Sequence, residues 1–205
     1  MYHVFNLYNK KIAYYVSTKC GSRTICGWGN IMHDPTIYEK HPEMFEGSRR
    51  EDYRYLRSIL PDYDINQTQN AEVRLCVVRD PIERFVSAFT NRVLYHKKVR
   101  KEITISEYIK SMDLPENAEL YSDINSHTRA LVVLLEKDPA KFTHIFNIKQ
   151  LSEVKVLFER ISGIPLPDLH LQQSGDYKKP FLTDGEIQFI KSRYKEDYDI
   201  YGKWM

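Results

Sequence analysis

Three short runs constrain the fold most: "KIAYYVS" (11–17), "VRLCVV" (73–78) and "FTHIFNI" (142–148). Each is rich in β-branched or aromatic residues, and each gives way to a turn signal or a helical pattern. The expected helices cover 24–32, 81–97, 105–112, 127–137, 150–162 and 182–194. Strand followed by helix, repeated, predicts an α/β chain: a three-layer fold with a mostly parallel central sheet flanked by helices. Ligands of such sheets lie beyond the carboxyl ends of the strands. The 81–97 helix is the clearest, with Pro81 at its first position and Ile82, Phe85, Val86, Phe89 and Val93 on one buried stripe. Gly27 and Gly29 weaken the 24–32 helix. The polar, Tyr-rich stretch 33–72 is expected to be a long lid or substrate loop.

At 205 residues, with 42% apolar, the chain is expected to form one domain spanning 1–205. Mean hydropathy is −0.53. Nothing approaches the roughly 18 consecutive apolar residues of a membrane helix, so no transmembrane segment is expected. The opening "MYHVFNLYNKK" is too short and too polar for a signal peptide. Three cysteines without a C-x-x-C pair favour a reducing cytoplasm over a disulfide framework or zinc site. A net charge of +2 argues against a nucleic-acid partner. The basic runs "HKKVRK" (96–101) and "YKK" (177–179) are either solvated faces or attractors of an anionic partner.

Two loops carry chemistry. In "STKCGSRT" (17–24), a strand passes through Lys19 and Gly21 into a helix. Backbone N–H groups and the helix dipole favour an anion there. Gly21 permits close backbone approach, Lys19 adds a charge, and Ser22 and Thr24 add hydroxyls. Taken alone, the loop is equally a helix start with ordinary caps. It lacks the G-x-x-x-x-G-K-S/T of nucleotide kinases. In "VVRDPIERFVSAF" (77–89), Arg79 and Asp80 follow a strand, and Arg84, Ser87 and Asn91 share one helix face away from the apolar stripe. Arg79 and Ser87 are placed to grip one phosphate from two sides. A plain reading makes Asp80–Pro81 a helix start and Arg79 a surface ion pair.

Together these loops resemble the two nucleotide motifs of sulfotransferases that use 3′-phosphoadenosine 5′-phosphosulfate. "STKCGSRT" resembles the 5′-phosphosulfate loop. "RDPIERFVSAF" resembles the 3′-phosphate motif R-D-P-x-x-R-x-x-S-x-aromatic at every fixed position. "FTHIFNIKQLSEVKVLFERI" (142–161) and "IKSRYKEDYDIYG" (190–202) resemble segments of the chondroitin and dermatan type of carbohydrate sulfotransferase. The resemblance implies a P-loop-like fold and transfer of a sulfuryl group to a hydroxyl of a carbohydrate acceptor, without a metal. It implies that Lys19 contacts the phosphosulfate and its bridging oxygen. Ser22 and Thr24, with the amides of Cys20, Gly21, Ser22 and Arg23, bind the 5′-phosphate. Arg79 and Ser87 hold the 3′-phosphate, and Lys178 belongs to a loop closing over the nucleotide.

Two positions depart from the family pattern: Thr18 stands where Pro is usual, and Arg23 where a small hydroxyl residue is usual. The acceptor's proton needs a base, which in related enzymes is His or Glu. His127 in "DINSHTRAL" resembles a histidine of the carbohydrate branch, although the Pro-Gln that usually comes after it is absent. His33 lies near where heparan-type relatives carry their base, and both histidines are candidates. The Tyr-rich 33–72 stretch and the 92–128 region are the expected acceptor surface. Two rivals stay open: a P-loop kinase, and a non-catalytic nucleotide-binding protein of the same fold. The Golgi relatives carry a membrane anchor and this chain shows none, so either a prokaryotic cytoplasmic enzyme or a trimmed catalytic domain is expected, with the length favouring the former.

Overall fold

The computed structural model describes residues 3–46, 60–99, 102–169, 171 and 177–205. Its sheet has four strands among the described residues: β1 (Val4–Leu7), β2 (Ile12–Tyr15), β3 (Val73–Val78) and β4 (His144–Asn147). They lie in sequence order, with β1–β2 antiparallel and β2–β3–β4 parallel. The three expected strands therefore form the parallel part. β1 was not expected. It pairs through a reversal in which Tyr8, Asn9 and Lys10 all take positive φ, and the Asn6 side chain accepts from the Lys10 N–H at 2.7 Å. No glycine or proline announces that turn.

Helix α1 (Ser22–His33) follows β2, and α2 (Pro81–Phe89) follows β3. Then come α3 (Ile105–Ser111), α4 (Ser122–His127), α5 (Leu131–Leu134), α6 (Leu151–Ser162), α7 (Asp184–Arg193) and α8 (Lys195–Tyr201). Of the two glycines that weaken α1 on propensity, Gly29 has a packing reason in the strand beside it. A Cβ on Gly29 would stand 2.7 Å from Leu7 Cδ2, so the bare backbone lets α1 lie against β1.

Two expected helices differ. The one over 81–97 is α-helical only to Phe89, then widens into a π-turn over Thr90–Tyr95, with the His96 N–H bonded to the Asn91 carbonyl. The one over 127–137 is broken between α4 and α5, because contacts from distant residues outcompete the local apolar pattern. The Asp197 carboxylate accepts the Leu131 and Val132 N–H groups at 2.8 and 3.0 Å, starting a new helix there.

One apolar cluster surrounds the sheet between α1 and α6, with Tyr14, Leu75, Val77, Ile25 and Phe158 at its centre. A second gathers Phe85, Phe89, Tyr108, Ile124 and Ile190 from α2, α3, α4 and α7. Ala130, in the break between α4 and α5, packs against both. No helix among the described residues is long and apolar enough to cross a membrane.

Candidate active site

At the carboxyl ends of the parallel strands a cavity of about 490 Å³ opens, inside the ~300–1,000 Å³ range of small-molecule sites. The loop leaving β2 is tied down on several sides. Ser17 Oγ donates to the Val77 carbonyl at 2.5 Å, and Thr18 Oγ1 donates to the His127 carbonyl at 3.0 Å. Thr18, the departure from the family's proline, thus joins this loop to the end of α4. Lys19 and Gly21 take left-handed φ of 61° and 77°. A Cβ on Gly21 would press on Leu151 Cδ1 at 3.0 Å, so close approach is built in. Gly21 is also the N-cap and has no side chain with which to cap α1. The first bond within α1 runs from Ile25 N–H to the Gly21 carbonyl, leaving the Ser22, Arg23 and Thr24 amides without helical acceptors. No acidic residue occupies the first turn.

The second loop meets the first. Arg79 Nη1 donates to the Lys19 carbonyl at 3.4 Å while Nε pairs with Glu83 at 3.1 Å. Asp80 Oδ1 caps α2 through the Ile82 and Glu83 N–H groups. Ser87 and Asn91 line the cavity one turn apart, and the buried Asn91 Nδ2 has no hydrogen-bond partner among the described residues. The π-turn brings the neighbouring Arg92 to the same wall. There it grips Asp123 through two bonds of 2.5 and 2.7 Å.

Cations dominate the electrostatics. Burial, then Arg23, Arg92 and Arg79, lowers the Lys19 pKa from 10.5 to about 7. Burial, then Arg92 and Lys19, lowers His127 to about 4, only partly opposed by Asp123. His127 lines the cavity as a neutral imidazole whose Nδ1 is buried without a partner. Val16, Ile148, Leu151, Leu169 and Leu171 supply the apolar part of the lining. Among the described residues no group of three or more His, Cys, Asp or Glu is disposed to hold a metal ion.

Of the residues expected at the site, Lys19, Gly21, Ser22, Arg23, Thr24, Arg79, Ser87 and His127 are brought together on the cavity wall. Three others, and Arg84 of the expected polar helix face, are not on it. Cys20 is fully buried, its thiol turned to the Thr18 carbonyl, so only its backbone can serve a ligand. His33 is exposed at the far end of α1, roughly 16 Å along the axis at 1.5 Å per residue. Lys178 is exposed and does not line the cavity. Arg84, expected on the polar face with Ser87, is instead 2% exposed, faces Asp197 at 3.7 Å and donates to the Arg129 carbonyl.

Several aromatics of the stretches expected to form an acceptor surface are packed among neighbouring residues. Tyr108 and Tyr121 belong to the second core, and Tyr38 packs edge-on against Phe45. Residues 47–59 of the Tyr-rich stretch lie outside the described residues.

Four residues at i, i+3, i+4 and i+7 near the C-terminus clasp the second loop and the α4–α5 break. Tyr194 donates to the Thr128 carbonyl at 2.5 Å, and Asp197 caps α5 beside Arg84. Tyr198 donates to Asp80 Oδ2 at 3.0 Å, and Tyr201 donates to the Glu136 carbonyl. Burial pushes the Asp197 carboxyl up, although these bonds oppose it. Sequence reasoning did not single out Arg92 and Asp123. No spacing links a residue inside a π-turn to a carboxylate on α4.

In this mixed α/β chain, two strand-end loops bring cations and first-turn amides to one cavity. A family model described as the sulfotransferase family matches residues 2–164, and the chain belongs to that family. No curated protein and no solved structure gave a match.

Proposed function

We propose that the protein transfers the sulfuryl group of 3′-phosphoadenosine 5′-phosphosulfate to a hydroxyl of a carbohydrate acceptor, as one domain of three-layer, P-loop-like architecture. One observation carries this reading: the two loops bring two separate sets of donors to one cavity. Lys19, Arg23 and the first-turn amides of α1 form one set, and Arg79, Ser87 and the unpartnered Asn91 side-chain amide form the other. A nucleotide with charge at both its 5′ and 3′ positions satisfies both. The apolar lining at Ile148, Leu151, Leu169 and Leu171 suits its base.

The donor supplies an activated sulfuryl group on a phosphate leaving group. Lys19 and the α1 amides orient that group and stabilise the charge that gathers on the bridging oxygen as the S–O bond breaks. His127 takes the acceptor's proton through Nε2 as the acceptor oxygen bonds to sulfur in line with the leaving oxygen. A pKa of about 4 makes His127 a poor base in a cavity without an anion. The same cations that depress it are the ones a phosphosulfate neutralises, so donor binding raises its basicity as transfer begins.

Thermal shift with 3′,5′-ADP, 5′-AMP and ATP tests the donor, and product release over a panel of carbohydrate acceptors tests the transfer. The reading requires that 3′,5′-ADP stabilise most. Stronger stabilisation by ATP would sink it in favour of a kinase. Binding of 3′,5′-ADP without turnover on any acceptor would favour a non-catalytic nucleotide-binding protein.

A further inference from the structure

His127 stands at the end of α4, a helix of only six residues. A helix that short does not persist by itself, so its neighbours decide where the histidine lies. The buried Nδ1 has no hydrogen-bond partner among the described residues, so no bond at that nitrogen aims the ring. Two ties fasten the helix instead. Thr18 Oγ1 donates to the His127 carbonyl at 3.0 Å. Arg92 grips the Asp123 carboxylate through Nε at 2.5 Å and Nη2 at 2.7 Å. Asp123 and His127 are four residues apart on α4, the spacing that puts two side chains on one helix face.

The ties come from the two donor loops. Thr18 adjoins Lys19 in the β2–α1 loop, Arg92 adjoins Asn91 in the π-turn, and all four residues line the cavity. The β2–α1 loop is already anchored to the sheet by Ser17 Oγ, which donates to the Val77 carbonyl at 2.5 Å. Thr18 is therefore free to serve α4 rather than its own loop. Proline, usual at this place in the loops this one resembles, has no hydroxyl and could not make the bond. Charge follows the same geometry. Arg92, Lys19 and Arg23 act on His127 as cations and Asp123 as an anion. The carboxylate that holds Arg92 thus also offsets part of the positive field at the imidazole.

We propose that Thr18, Arg92 and Asp123 are positioning residues that hold His127 in register with the donor loop, so that occupation of the loop steadies α4. This rests on the sulfotransferase reading above and adds to it how the base is placed.

The test combines hydrogen exchange of the α4 amides with and without 3′,5′-ADP, a nucleotide that lacks the sulfuryl group, with turnover as a function of pH. In the wild type and Thr18→Ser the nucleotide should slow exchange in α4 several-fold, and in Thr18→Val it should not. Thr18→Val should lower kcat by about three- to tenfold, the scale of one lost hydrogen bond, with little change in 3′,5′-ADP affinity, and Thr18→Ser should restore it. Asp123→Asn should move the titration of His127, read by histidine-ring NMR and by the acid limb of kcat, to lower pH. Arg92→Gln should move it to higher pH. Exchange and kcat in Thr18→Val that match the wild type overturn the proposal. So does a fall in kcat that only tracks weaker 3′,5′-ADP binding, because Thr18 then serves the donor seat alone. Shifts of the same sign in Asp123→Asn and Arg92→Gln remove the charge pair from it. Failure of 3′,5′-ADP to bind the wild type instead overturns the donor reading, and the two histidine titrations still judge the pair, so the failures are separable.

Discussion

Binding of 3′,5′-ADP at pH 8 should draw about 0.9 proton from the buffer per nucleotide bound. A lysine with a pKa of about 7 is mostly neutral at that pH, and it becomes charged once an anion sits beside it. Burial is the first cause of the depression, with Arg23, Arg92 and Arg79 after it, and an anion offsets those three cations. The apparent affinity should therefore fall about tenfold per pH unit above about pH 7. Titration calorimetry in two buffers of different ionisation enthalpy reads the uptake directly. The nucleotide's own phosphates ionise near pH ~6 and contribute little at pH 8. Lys19→Met should abolish the uptake. Arg23→Ala should only reduce it, since burial remains the larger cause. For the protein without ligand the sign reverses. The unfolded chain holds more protons between pH 7 and 10.5, so this group's contribution to stability rises across that window as affinity falls. Affinity that stays level from pH 7 to 9, or uptake that survives Lys19→Met, would refute a buried, depressed Lys19 at the anion site.

Arg79→Ala should weaken 3′,5′-ADP by roughly 10–100-fold, the loss of one or two charge-assisted hydrogen bonds, while 5′-AMP binding changes little; equal losses for both nucleotides would remove Arg79 from the 3′-phosphate. His127→Ala should lower kcat by about 10²–10⁴-fold with donor affinity retained; unchanged turnover on a competent acceptor would exclude it as the base. Asp197→Asn strands the buried Arg84 and should cost about 3–5 kcal/mol, or roughly 10 °C in Tm. Adding Arg84→Met should restore part of that loss, and chemical denaturation showing less than about 1 kcal/mol for the single variant would contradict the clasp.

The parallel strands were legible because short runs of β-branched or aromatic residues need covering on both faces, and a helical pattern after each run supplies the cover. The two loops were legible because Gly21, Pro81 and Asp80 act locally, through φ and capping. What stayed hidden is set by contacts between distant residues. Arg84 sits on the helix face expected to be polar, yet Asp197, from the C-terminal helix, draws it into the interior. The α4–α5 break is invisible in "HTRALVVLLEK" because the carboxylate that makes it lies 66 residues away from Leu131. His33 was assigned by analogy of position, and the straight run of α1 carries it away from the cavity. The π-turn has no residue signature here, so the turn that brings Arg92 as well as Asn91 to the cavity wall could not be read from spacing.

The ties on the β2–α1 loop have a consequence for which kinds of atom it can recognise. The Lys19 carbonyl is taken by Arg79, the Thr18 carbonyl by Cys20, and the nearby His127 carbonyl by Thr18. Acceptors are consumed inside the protein, while the first-turn amides of α1 have no acceptor within the helix. The loop therefore discriminates by hydrogen-bond polarity before it discriminates by shape. A group rich in lone pairs finds donors on every side, whereas a hydroxyl or ammonium finds few acceptors and is turned away from this loop.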